Sequence, residues 1–267
     1  MRIATTIAVA LAAVASPALA QSDARPTDRR ELSTDRPDKT ESPYSVDQGR
    51  FQIEMDIATY TRDRSQGIRT ETLSVAPINF KYGVGRNADL QVIVEPYIRQ
   101  TVTARSLGIR DTTDGVGDVT VRFKQNLWGN DGGKTALAIM PFVKLPTNSG
   151  GLGNNKAEFG VIVPLAIGVS DDVGIGLMTQ VDVVEDDDTK GYRVNFINSA
   201  TVGIGLTDRL GMYTELFVER NADWIVTGDV GLTYALSDFT QLDVGANVGV
   251  TDAADDIAVF VGISRRF

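Results

Sequence analysis

Charged side chains recur at every second position inside otherwise apolar stretches, and this spacing is the first chemical feature of the chain. Glu54 and Asp56 alternate with Phe51, Ile53, Met55 and Ile57; Arg122 and Lys124 alternate with Val121 and Phe123. The same parity gives an acidic set of Glu54, Asp56, Glu95, Asp118, Glu158, Asp182, Glu215, Asp229 and Asp243. It also gives a basic set of Lys81, Arg99, Arg122, Lys124, Lys144 and Arg193. Groups of both signs on one face can pair with each other or line a polar path. Nucleophilic catalysis is a poor fit, because the chain has no histidine and no cysteine. Ser–His–Asp and Cys–His constellations are impossible, and zinc loses its usual ligands. Carboxylates alone would permit a glycosidase-like pair, but nothing singles one out. The expectation is a protein that is not an enzyme and holds neither metal nor cofactor.

A period of two belongs to strands whose faces meet different surroundings. Twelve segments carry it: 50–62, 69–84, 88–104, 115–127, 134–146, 156–169, 173–185, 191–206, 209–220, 223–236, 239–250 and 256–267. Most exceed ten residues, whereas strands of soluble domains cluster at about five or six; long tilted strands suit a bilayer. Tight links such as Gly85-Arg86-Asn87, Thr207-Asp208 and Ser237-Asp238 follow the even-numbered strands. Longer links, notably Arg105 to Asp114 and Thr147 to Asn155, follow odd-numbered ones, with Asn221-Ala222 as a short exception. Short turns on one side and longer loops on the other give an all-β fold: a transmembrane antiparallel up-and-down β-barrel of about 12 strands, of the bacterial outer-membrane type. The last strand ends on an aromatic residue, Phe267. Phe51, Phe80, Tyr82, Phe123, Trp128, Phe239 and Phe267 fall near one set of strand ends and Tyr192 and Trp224 near the other, as interfacial girdles would.

The start of the chain supplies an address. Met1-Arg2, the apolar run Ile3 to Ala15 and the small-x-small site Ala18-Leu19-Ala20 read as a secretory signal peptide over residues 1–20, cut after Ala20. Its loss removes only Arg2 among the charges, so the formal net charge of −9 becomes one unit more negative. Nucleic acid is therefore an unsuitable partner. Residues 21–49 are polar, charged and proline-bearing without either periodicity. They are either a solvated periplasmic tail or a plug-like segment entering the barrel mouth, with Asp35, Arg36, Asp38 and Glu41 as gating candidates that could meet Arg122, Lys124 or Glu54. The barrel itself spans 50–267.

The run Leu32-Ser33-Thr34-Asp35-Arg36-Pro37-Asp38-Lys39-Thr40-Glu41-Ser42-Pro43-Tyr44, followed by Gly49-Arg50-Phe51-Gln52-Ile53-Glu54, resembles the amino-terminal hallmark of the outer-membrane transporter family named after the meta-pathway of phenol degradation. Gly115-Val116-Gly117-Asp118 leading into Lys124, and Leu145-Pro146-Thr147, are similar to later points of the same family. The resemblance implies an outer-membrane channel or transporter for small solutes, including aromatic or hydrophobic compounds. A non-conducting structural or interaction barrel is the alternative.

On either reading the inward face carries the charges, since each would cost roughly 2–4 kcal/mol against lipid near the midplane. Glu54, Asp56, Lys81, Glu95, Arg99, Asp118, Arg122, Lys124, Asp182, Arg193, Glu215 and Asp243 are the candidates for a transport path. It is expected to be open or gated rather than closed by ion pairs, with a mild cation preference. The expected surroundings are outer-membrane lipid and lipopolysaccharide, the barrel-insertion machinery and a small-molecule solute. The acidic runs Glu185 to Asp188 and Asp252 to Asp256 read as solvated loops.

Overall fold

The computed structural model describes residues 29–186 and 189–267. The predicted signal peptide and two acidic loop residues, Asp187 and Asp188, lie outside them. Fifteen strand segments form one sheet: β1 (Phe51–Ser65), β2 (Ile68–Val75), β3 (Ile78–Gly85), β4 (Ala88–Val94), β5 (Tyr97–Ala104), β6 (Ile109–Gly115), β7 (Val119–Trp128), β8 (Thr135–Leu145), β9 (Glu158–Gly168), β10 (Val173–Asp186), β11 (Gly191–Gly205), β12 (Leu210–Arg220), β13 (Trp224–Ser237), β14 (Thr240–Gly249) and β15 (Ile257–Arg266). Three pairs, β2 with β3, β4 with β5 and β6 with β7, are halves of interrupted strands, so the barrel has twelve. Each strand runs antiparallel to its neighbours, and β15 closes on β1 with Gln52 opposite Arg266. The Phe267 amide donates to the Phe51 carbonyl at 2.8 Å. Closure leaves the transmembrane sheet without an edge, which lipid demands.

Side-chain parity follows the sequence. Phe51, Tyr82, Leu90, Val259 and Val261 are exposed on the outer wall, while Glu54, Lys81, Lys124 and Asp243 are buried inside. The final strand keeps this order: Arg265 points outward with its guanidinium 5.2 Å from the Phe267 ring centre, and Arg266 is buried.

Two departures have local causes. A bulge between Asp56 and Ala58 shifts the register of β1, so that Asp56 stays opposite inward Gly262 while Ala58 meets outward Val261. Strict alternation would have placed Ala58 inside. The three interrupted strands break side by side at Ala76-Pro77, Glu95-Pro96 and Val116-Gly117-Asp118. Proline has no amide to give the ladder and is confined to such irregular places. Counting eight residues of β3 at a barrel tilt, the breaks stand roughly 20 Å above the short-turn ends, near the outer limit of the apolar band. Above the breaks the sheet continues as β2, β5 and β6. The expected loop Arg105 to Asp114 is therefore mostly a 3₁₀ turn and strand β6. Polar on both faces, β6 lacks the apolar alternation that marked the other strands.

Candidate functional site: a lumen filled from its own N-terminus

The interior is ionic rather than oily. Among the described residues Lys124 is the largest fully buried side chain, and Met140, Ile162, Met178 and Ile197 form an apolar inner cluster with Phe142 and Phe217 packed against it. The N-terminal segment is exposed at Arg29, Glu31, Gln48 and Gly49, and between these ends it enters the interior and pairs with charges of the wall. Asp35 accepts from Lys81 at 2.5 Å and from Lys124 at 2.6 Å, and its backbone amide donates to Glu54 at 3.0 Å. Lys81 also pairs with Glu54. Arg36 reaches Asp56 at 2.5 Å and Asp243 at 2.7 Å. Lys39 lies 3.3 Å from Asp229, and its amide donates to Glu215 at 2.8 Å. Thr40 donates to Glu215 and shares a 2.6 Å hydrogen bond with Ser199. Glu41 pairs with Arg122.

The segment has no ladder of its own, so its backbone groups find partners on the wall, as buried amides must. The Ser45 amide donates to Asn130 and the Val46 amide to Asp89, both at 2.9 Å, while Asn126 donates to the Pro43 carbonyl. Inward glycines make room. A Cβ on Gly262 would stand 2.2 Å from the Arg36 guanidinium, and one on Gly83 would stand 2.1 Å from the Asp47 carbonyl oxygen.

Electrostatics differ along the segment. Burial opposes ionisation of Asp35, but the Lys124 and Lys81 ammonium groups outweigh it and hold the carboxyl well below the usual carboxylate range. Asp38 has no such pair: burial and the nearby Glu215 charge push it up to about 7.

Most predicted path residues thus meet at the segment: Glu54, Asp56, Lys81, Arg122, Lys124, Glu215 and Asp243 all contact it. Of the gating candidates, Asp35, Arg36 and Glu41 are paired to the wall; Asp38 is half-buried beside Thr201 and Glu215. Arg99 is not brought into this cluster. It sits half-exposed on β5, bonded to Asp114 at 2.7 Å, because β5 lies above the proline break. Asp118 faces inward, yet its carboxylate anchors a loop: it accepts from the Thr147 and Asn148 amides, the Asn148 side chain and the Asn154 amide. The two later motifs therefore meet in space. Lys39, Asp229, Ser199 and Asn126 were not among the predicted path or gating residues; inward parity marked Asp229, but no spacing showed what the uncharged ones would bind.

Beyond the segment, toward the long loops, the lumen opens into a cavity of about 560 Å³. Glu95, Asp182 and Arg193 line it with Asp118, Glu158, Glu185 and Glu219. Six carboxylates face three cations, and each cation already stands by a carboxylate: Arg122 by Glu41, Lys144 by Asp118 at 3.8 Å and Arg193 by Asp186 at 3.9 Å. Among the described residues no cluster of ligands suits a metal ion.

A closed twelve-stranded barrel with an apolar outer wall and an ion-paired inner segment defines an integral β-barrel of the outer-membrane type. The profile of the family described as "Putative MetA-pathway of phenol degradation" matches residues 34–267, and the chain belongs to that family. Among solved structures, the COG4313 outer membrane channel from Pseudomonas putida F1 shares 12% identity at a TM-score of 0.59, covering 88% of this chain and 100% of that one. A TodX monoaromatic hydrocarbon channel variant shares 9% identity at a TM-score of 0.51, covering 84% and 91%. The translocator domain of the autotransporter NalP from Neisseria meningitidis shares 10% at 0.50, covering 82% and 88%. Likeness at this identity is likeness of fold. A search of curated proteins found no match.

Proposed function

We propose that this protein is an outer-membrane channel for small solutes whose path is gated by its own residues 29–50. One observation carries the reading: a segment without secondary structure fills the lumen through exchangeable ion pairs and hydrogen bonds, with a water-accessible cavity beyond it. A permanent filling needs only apolar packing, which costs no desolvation. A segment held by charges can trade its partners for water and ions. The monoaromatic hydrocarbon channel among the structural neighbours, together with the family's name, supports an aromatic or hydrophobic solute class for this chain. Lipopolysaccharide and the barrel-insertion machinery remain the partners expected of such a barrel.

The test is single-channel recording in a planar bilayer, comparing the mature chain with a form lacking residues 21–44. The expected result is small or intermittent steps from the mature chain and larger, steady steps with weak cation preference from the deletion. Silence from both, with each shown to be folded by heat-modifiable mobility, would favour the second reading, a non-conducting structural barrel. That reading draws on the same dense ion pairing.

A further inference from the structure

The outer cavity has chemistry that the gated channel does not use. Register places Arg122, Phe142, Gly160, Asp182 and Asn195 in one row across β7 to β11. Asp182 and Asn195 are 6% and 3% exposed. Gln180 donates to one Asp182 oxygen at 2.7 Å, and the other, Oδ1, has no partner. Asn195 donates its amide nitrogen to Glu219 at 3.0 Å, which fixes the amide orientation, since the flipped form would set oxygen against carboxylate. Its Oδ1 is likewise unpartnered. Two buried acceptors without donors thus stand side by side in the cavity wall, and an unsatisfied buried group costs about 1–3 kcal/mol.

Between Asp182 and the Phe142 ring lies Gly160. A Cβ there would fall 2.3 Å from Asp182 Oδ1 and 2.8 Å from Phe142 Cε1, so the absent side chain lets the carboxylate and the ring edge close over the Gly160 backbone beside one another. Carboxylate, amide oxygen and ring together suit an ammonium group, which brings only donors and favours an aromatic face. The field has the same sign, because the carboxylate excess of the cavity is not answered by a free cation among the described residues. A hard dication would need six to eight oxygens, more than the two unpartnered oxygens of Asp182 and Asn195 offer.

We propose that the vestibule is a binding site for a small organic ammonium, its head on Asp182 and Asn195 and its body against Phe142 and Ile197. This rests on the channel reading, for which it names the solute class. One row position from Phe142 stands Arg122, the partner of Glu41, so the occupied site adjoins a contact that holds the N-terminal segment.

The experiment is isothermal titration of the mature protein in nanodiscs with benzylammonium, benzyl alcohol and benzoate at constant ionic strength. Saturable binding is expected for benzylammonium alone. Asp182→Asn should weaken it roughly tenfold or more, the scale for losing a contact to a charged group. Gly160→Ala, which would push the Asp182 carboxylate and the Phe142 ring out of place, should weaken it without altering charge. Equal binding of benzyl alcohol, unchanged affinity in folded Asp182→Asn, calcium competing one for one, or no benzylammonium binding would each overturn the site. Conductance recorded on the same preparation separates the two claims: a conducting protein that ignores benzylammonium loses the site and keeps the channel, and a silent one that binds it does the reverse.

Discussion

The lower and upper halves of the lumen are built from the same strands with the same inward parity, yet their wall charges meet different partners. Below, Asp35, Arg36, Lys39 and Glu41 enter from the N-terminal segment and pair with charges of the wall. Above, no segment enters among the described residues, and the wall of the open cavity carries six carboxylates against three cations. Parity forces charges inward wherever lipid covers the outside. What neutralises them is a separate matter, decided by what else occupies the interior. On the proposed function, the filled half is the gate and the open half is where a solute would bind.

Removing a cation from the filled half should erase the contrast most strongly. Lys124→Met leaves Asp35 buried with one ammonium instead of two, and truncating one member of such a buried network costs roughly 3–5 kcal/mol. The segment should undock, seen as rapid proteolysis within residues 29–45 of an otherwise intact barrel. Protection equal to the parent would show that the pair does not hold the segment. Arg122→Gln acts at the boundary between halves, where both partners are partly exposed, and should cost about 1–3 kcal/mol of docking. It should also make the vestibule more negative, so reversal potentials in a salt gradient should shift toward cation preference. A shift toward anions would contradict the assigned field. Arg99→Ala sharpens the comparison from outside it. The Arg99–Asp114 pair is half-exposed, so its loss should change stability by no more than about 0.5 kcal/mol and leave conductance as it was.

How far these halves were legible in the sequence differs for physical reasons. Strand number, inward charges and the alternation of short and long links follow from a period-two code that lipid imposes, and Phe51 to Asp56 shows it within six residues. The code falls silent where lipid does. Strand β6, above the bilayer side of the proline breaks, read as a loop, and Arg99 read as luminal because the break before it was invisible to parity. The bulge at Ala58 adds one residue and shifts the pattern without any residue type that announces it. Composition allowed residues 21–49 to be tail or plug, and adjacency to the first strand suggested the mouth of the barrel. Only closure brings Asp243 and Asp229 to Arg36 and Lys39, across some two hundred residues of chain. Asp118 carried inward parity and lines the outer cavity, but its four donors come from a loop whose path no local pattern encodes.

The claim that the N-terminal segment controls the path can be tested with a reversible lock. The chain has no cysteine, and the Thr40 and Ser199 hydroxyl oxygens lie 2.6 Å apart, so Thr40→Cys with Ser199→Cys can tether segment to wall without competing thiols. Bilayer recordings of the oxidised protein should show the path held shut, with channel activity returning when reductant is added. Identical conductance in the two redox states, with the disulfide confirmed by mass, would contradict the account.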